Sequence, residues 1–257
     1  MILNIAAYLF VGIDDADALA TRIREQAEAA ALRGSVLVAP EGINLFLAGD
    51  ELPLRGFLDW LRCDARFAGI TIKESWSETL PFVRLKVKRK GEIISFRREA
   101  AVPLDRERAP AVNPMTLARW IKQGHDDAGK PLVLLDTRNR EEVGFGSFAG
   151  ALSLPIDNFT ELPAALAPHR ERLRDATVVS FCTGGIRCEK AALWLRDDGM
   201  DNLLQLDGGI LGYFEHVGGF GYDGCCFVFD ERVALDPLLQ PLVDRDAAMA
   251  STQGTHA

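Results

Sequence analysis

Apolar and polar residues change period several times along the chain, and each change marks an element. Residues 4–11 are mainly apolar and predict a strand, after which Ala16, Leu19, Ala20, Ile23, Ala27 and Ala30 recur at helical spacing behind an N-cap at Asp14 or Asp15. Val36 to Ala39 and Leu45 to Ala48 predict strands around a Pro40-Glu41-Gly42-Ile43 turn, in which Gly42 serves the tight turn, while Glu41 and Asn44 are either turn residues or residues with a further role. Pro53 introduces a helix carrying Phe57, Leu58 and Leu61, and a strand from Ile70 to Glu74 completes β-α-β-β-α-β. That order predicts a ferredoxin-like unit. A further hairpin is expected from Phe82 to Lys90 and from Glu92 to Arg97, turning at Gly91.

Residues 99–114 hold Pro103, Pro110 and Pro114 among charges, which predicts an interdomain linker. Beyond it come a helix with Leu117, Trp120 and Ile121 and the strand Leu132-Val133-Leu134-Leu135 ending at Asp136. Strands near 151–154, 178–181 and 203–206 alternate with helices near 158–167 and 186–197, the pattern of an α/β domain with a mainly parallel sheet. The expected organisation is a ferredoxin-like domain over 1–98, a linker over 99–114, a catalytic α/β domain over 115–225 and a partly disordered extension over 226–257. In such sheets chemistry collects at the carboxyl ends of strands, where Asp136 and Cys182 both fall.

Composition narrows the class. The chain has 257 residues, 48% of them hydrophobic, and a formal net charge of −8, which opposes indiscriminate nucleic-acid binding but leaves room for a local basic patch. Five irregularly placed cysteines argue against a disulfide framework and for a reducing cytoplasm. The apolar start at Ile2 to Val11 lacks a positive flank and meets Asp14 and Asp15 too soon for a membrane span. The histidines are scattered and Cys225-Cys226 are adjacent, so no metal is indicated.

The strongest chemical signal is Cys182-Thr183-Gly184-Gly185-Ile186-Arg187-Cys188, which lies between the apolar run Thr177 to Phe181 and a helical pattern. Gly184 and Gly185 allow the loop to curl until its N–H groups face inward, the helix start adds unpaired N–H groups, and Arg187 adds a cation. Such surroundings lower a thiol's proton affinity. An isolated cysteine after a strand is ordinarily a small buried hydrophobe, but the coincidence of glycines, arginine and helix start favours a thiolate. Cys188 is either a resolving thiol for Cys182 or a packing residue beneath the loop. Separately, Arg84, Lys86, Lys88 and Lys90 alternate with Leu85 and Val87, which places the cations on one strand face. That face is either a solvated edge or a contact for a phosphate backbone, with Arg97 and Arg98 adding charge.

Two stretches together resemble a known family. Asp136-Thr137-Arg138 and Gly146-Ser147-Phe148-Ala149-Gly150-Ala151 resemble rhodanese signatures, and the loop from Cys182 resembles the rhodanese active-site loop. More narrowly, C-T-G-G-I-R-C-E-K-A at 182–191, E-G-I-N at 41–44 and C-F-V-F-D-E-R-V at 226–233 resemble the rhodanese-type, oxygen-dependent tRNA uridine hydroxylases. The resemblance implies an acylphosphatase-like N-terminal domain joined to a rhodanese domain. It also implies hydroxylation of the wobble uridine of tRNA at C5, with molecular oxygen as co-substrate and no other cofactor evident. Cys182 matches the required cysteine, Arg187 and Thr183 to Ile186 match its cradle, and Asp136 and Arg138 match positions more often structural than catalytic. Longer relatives carry a cysteine-containing tail, whereas this sequence ends in the polar segment Ser251 to Ala257, expected to be disordered.

The sequence leaves rival readings. Cys182 as nucleophile fits either addition to C6 of uracil or a persulfide. A rhodanese-type sulfurtransferase, supplied by a small-molecule or protein sulfur donor, is the nearest alternative. A phosphatase is disfavoured because Cys182 and Arg187 enclose only four residues, a tight ring for a phosphoryl group. A non-catalytic RNA-binding or interaction module has no use for a stabilised thiolate.

Overall fold

Alternation in the N-terminal half becomes the register of one sheet. The computed structural model describes residues 1–98, 101–104 and 106–242, so the disorder expected for Ser251 to Ala257 lies outside the described residues. Strands β1 (Ile2–Phe10), β2 (Arg33–Ala39), β3 (Gly42–Gly49) and β4 (Ile72–Ser77) lie in the order β4-β1-β3-β2 and pair antiparallel, as the ferredoxin-like order requires. Helices α1 (Ala16–Ala29) and α2 (Glu51–Arg62) bury Leu19, Ile23, Phe57, Leu58 and Leu61 in the core with Leu3, Ile5, Val36, Leu45 and Leu47. Asp15 occupies the N-cap position of α1, but its carboxylate binds Arg22 and Arg66 instead of capping the helix.

The expected hairpin does not form. Only β5 (Leu85–Arg89) is a strand, and it joins the sheet edge parallel to β2, with Val36 opposite Val87. Past Lys90 the backbone is taken by side chains: Glu41 Oε1 accepts the Ile93 N–H at 2.8 Å and Asn44 Nδ2 donates to the Ile93 carbonyl at 3.3 Å. Glu41 and Asn44 are therefore more than turn residues, since they clamp a fully buried isoleucine. A segment whose polar groups are satisfied in this way has none left for a strand partner.

The C-terminal half is built on a parallel sheet. Its strands are β6 (Ala111–Val112), β7 (Leu132–Asp136), β9 (Leu152–Ser153), β10 (Thr177–Phe181) and β11 (Leu203–Leu206), in the order β6-β11-β10-β7-β9, while β8 (Gly146–Phe148) pairs antiparallel with β12 (Tyr222–Gly224). The helices are α3 (Pro114–Gln123), α4 (Arg140–Val143), α5 (Leu162–Leu166), α6 (Arg170–Leu173), α7 (Ile186–Asp197) and α8 (Gly209–Val217). A last hairpin joins β13 (Cys226–Phe227) to β14 (Ala234–Leu235).

Residues separate into two compact units, Met1–Ile94 with Pro103–Arg106, and Ser95–Val102 with residues from Glu107 on. The segment 99–114, expected as linker, thus divides between the units and contains β6 as well as Asn113, whose side chain caps α3 by accepting the Thr116 N–H. The expected extension is also partly built in, because Cys226, Val228 and Leu235 belong to the core of the second unit. Arg97 and Arg98 belong to that unit too, with Arg98 over the Trp194 ring, whereas β5 belongs to the first. Among the described residues no helix is long and apolar enough to cross a membrane.

Asp136 and Arg138 hold the second unit together. Arg138 is fully buried and donates from Nε and Nη2 to the Asp136 carboxylate at 2.9 and 2.7 Å, while Nη2 also reaches the Gly146 carbonyl at 2.6 Å. The Tyr222 hydroxyl donates to that same carbonyl at 2.9 Å and the Ser147 hydroxyl to Asp136 at 2.7 Å, so one ion pair ties β7 to β8 and β12. Replacing one partner of a buried pair strands the other charge, and Arg138→Ala is expected to cost about 3–5 kcal/mol in urea unfolding. A loss below about 1 kcal/mol, the range of exposed pairs, would contradict this role.

Candidate active site

The fold converts the end of β10 into a sulfur-centred nest. The carbonyls of Cys182 and Thr183 accept the N–H groups of Ile210 and Leu211, in the first turn of α8, at 2.9 and 3.1 Å. Further along the same loop the Gly185 N–H donates to Cys182 Sγ at 3.1 Å. The backbone N–H groups of Arg187 and Cys188, at the start of α7, add to the same sulfur. Gly185 is the N-cap of α7 with φ of +100°, which favours glycine, whereas Gly184 has no such angle and open space where a Cβ would stand. The second glycine the loop depends on is Gly209, not Gly184. Its φ is +63°, and a Cβ there would lie 2.5 Å from the Cys182 carbonyl oxygen and 2.8 Å from the Gly185 nitrogen.

Charge follows from this geometry. Cys182 is fully buried, and burial alone would raise its pKa, but the Cys188 thiol donating to it, the Arg187 charge and the helix N–H groups outweigh burial and bring it down to about 5. At neutral pH it is a thiolate. Cys188 is pushed the opposite way, well above the usual thiol range, by its own burial and by the neighbouring Cys182. Cys188 Sγ also lies 3.5 Å from Thr137 Oγ1. Cys188 is fully buried beside the loop, and from there its thiol reaches Cys182.

Arg187 is placed by a residue that the sequence reading passed over. Its guanidinium forks onto Glu142, with Nη1 to Oε2 at 2.5 Å and Nη2 to Oε1 at 2.6 Å. Glu142 also accepts the Thr183 hydroxyl at 3.3 Å and the Asn139 N–H at 3.1 Å. Burial would raise its pKa, but Arg187 holds the carboxyl below the usual range. Arg187 Nε–H, also buried, is left with no partner. Cys226 contributes from β13, where its thiol pairs with Thr183 and burial pushes its pKa up to about 12. Cys225 instead packs with Phe145 and Ala234.

The structure therefore gathers Cys182, Thr183, Gly184, Gly185, Ile186, Arg187 and Cys188 in one loop and helix start, with Asp136 and Arg138 acting as the tie described above. Arg84, Lys86, Lys88 and Lys90 belong to the first unit, on or beside β5, where all four are exposed. Glu142, Gly209 and Cys226 are the site residues that spacing did not reveal. A signal existed for Glu142, since Asn139 followed three residues later by glutamate is a helix-start pattern. For Gly209 the signal was the Gly208-Gly209 pair following a strand.

The thiolate absorbs in the ultraviolet, so its titration is readable without a reagent reaching the buried sulfur. The absorbance lost in Cys182→Ser is expected to titrate near pH 5 in the wild type. Arg187→Gln, which removes the cation, should move that midpoint upward, and Arg187→Lys should move it less. An unchanged midpoint in Arg187→Gln would remove the arginine from the account.

Comparison with known proteins accords with this geometry. Residues 2–93 match the UPF0176 acylphosphatase-like domain and residues 117–216 the rhodanese-like domain. A tRNA uridine(34) hydroxylase of Xanthomonas euvesicatoria is 67% identical over 96% of this chain and 99% of its own. Proteins of the same name from Xanthomonas campestris, 66% identical over 95% of this chain and 96% of theirs, and from Xylella fastidiosa, 59% identical over 95% of both, are similar throughout. With that identity running through both units, the chain belongs to the tRNA uridine(34) hydroxylase family.

Proposed function

We propose that this protein hydroxylates the wobble uridine of tRNA at C5 with molecular oxygen, using the Cys182 thiolate as nucleophile in a reducing cytoplasm. The observation that carries the reading is the Gly185 N–H on Cys182 Sγ inside a nest backed by Arg187, in a chain of this family. C5 of uracil is not by itself electron-rich enough to meet oxygen. Addition of a thiolate at C6 makes it so, because the electron pair released from the C5–C6 double bond is shared between C5 and the carbonyl oxygen at C4. The uncommitted Arg187 Nε–H is a donor for the negative charge that develops. One oxygen atom then remains on C5 as hydroxyl and the other leaves as water, which consumes two electrons and two protons.

In this reading the tRNA backbone is held in part by the exposed cations at Arg84, Lys86, Lys88 and Lys90, a local basic strand on a chain of net charge −8. The burial of Leu85 and Val87 against the first unit's core fixes β5 and keeps its lysines turned outward.

Nucleoside mass spectrometry of tRNA from a deletion strain tests the activity. Loss of 5-hydroxyuridine and its derivatives is expected, with restoration by the wild-type gene and none by Cys182→Ser. Unchanged 5-hydroxyuridine in the deletion strain, together with thiosulfate:cyanide sulfurtransfer by the purified protein, would replace this reading by sulfur transfer.

Neutralising Arg84, Lys86 and Lys88 together tests the contact surface. Weaker tRNA binding at low salt is expected, with the slope of log affinity against log salt reduced by about 2–3. An unchanged slope would take the strand out of the tRNA site.

A further inference from the structure

We propose that Cys182 and Cys188 themselves supply the two electrons that the hydroxylation consumes, and that each turnover leaves them joined as a disulfide. The inference rests on the reading above and names the reductant of the same site. Both sulfurs are fully buried, they are six residues apart across the loop and the first turn of α7, and the Cys188 thiol hydrogen-bonds to Cys182. Thr137 Oγ1 also lies 3.5 Å from Cys188 Sγ. A buried cysteine is ordinarily an apolar filler. This one instead has its sulfur beside a hydroxyl and a second sulfur, and carries the proton that its neighbour lacks.

The chemistry balances with groups already named. Oxygen captured at C5 of the Cys182 adduct leaves a hydroperoxy group on C5 once the C5 proton and the sulfur depart and the C5–C6 double bond re-forms. The freed Cys182 thiolate attacks the outer oxygen of that group and breaks the O–O bond. The inner oxygen stays on C5 and takes a proton from solvent to become the hydroxyl, and Cys182 becomes a sulfenic acid. The Cys188 sulfur then displaces hydroxide from Cys182, the Cys188 proton accompanies it to make water, and the S–S bond forms. Uridine and oxygen have become 5-hydroxyuridine and water, and two thiols have become one disulfide. An external thiol restores the pair before the next turnover.

The test uses the full chain, reduced, freed of small thiols without air, and mixed with oxygen and tRNA from the deletion strain. The expected result is about one 5-hydroxyuridine per protein, loss of two thiols, and a Cys182–Cys188 disulfide in the peptide map, with many turnovers once dithiothreitol is added. In Cys188→Ser a single product per protein is expected, with Cys182 trapped by dimedone as sulfenic acid and no disulfide. Product formed by the wild type with its thiol count unchanged would overturn the proposal while leaving the hydroxylase reading intact. So would a disulfide that joins other cysteines. Absence of product even with dithiothreitol would overturn both.

Discussion

The tie between the first turn of α8 and the carbonyls of Cys182 and Thr183 holds the start of the loop that carries the site. A peptide unit has one donor and one acceptor on opposite sides, so fixing where the carbonyl points fixes where the N–H points. Ile210 and Leu211 fix the carbonyls of Cys182 and Thr183, and with them the N–H groups of Thr183 and Gly184 in the same peptide units, while the N–H groups of Gly185, Arg187 and Cys188 further along meet one sulfur. The helix start of α7 supplies the N–H groups of Arg187 and Cys188, and α8 adds its hold on the two carbonyls that precede them. This is why Gly209 matters: a side chain there would stand inside the loop backbone, at 2.5 Å from a carbonyl oxygen.

Arg187 could be expected to face the thiolate and nothing else. An arginine and a thiolate buried alone would make a pair, yet the loop would then depend on one flexible side chain for its alignment. Glu142 removes that freedom. By holding both terminal nitrogens of Arg187 and the hydroxyl of Thr183, it locks the guanidinium to the loop from outside and leaves Nε–H in place. The carboxylate weakens the cation's pull on the sulfur, but it trades that for a fixed position, and a fixed cation stabilises developing charge without having to reorganise.

Local signals made much of this legible. The apolar periods gave the ferredoxin-like order, the alternation of strands and helices gave the parallel sheet, and the strand-glycine-helix junction pointed to Cys182 and Arg187. What was hidden depends on partners distant in sequence. Glu142 is 45 residues from Arg187 in the chain, so no window could connect them. The hairpin after Gly91 was misread for the same reason: β5 finds its partner in β2, parallel, and Ile93 is claimed by Glu41 and Asn44 from 52 and 49 residues away. Gly184 was overvalued because a glycine pair looks alike at both positions, whereas only the backbone angle shows which one the turn requires.

The pair of thiols gains its meaning from the same long-range construction. Two cysteines in one environment would share similar proton affinities, and neither would be reliably charged. Here the N–H nest and Arg187 favour the anion at Cys182, and that anion in turn makes a second one at Cys188 costly. The result is one sulfur that favours the anion beside one that keeps its proton. Neither sulfur has exposed surface. A thiolate that would be vulnerable on an open surface is thereby kept for whatever can displace its cover, and a substrate that unstacks its base into the site is suited to do so.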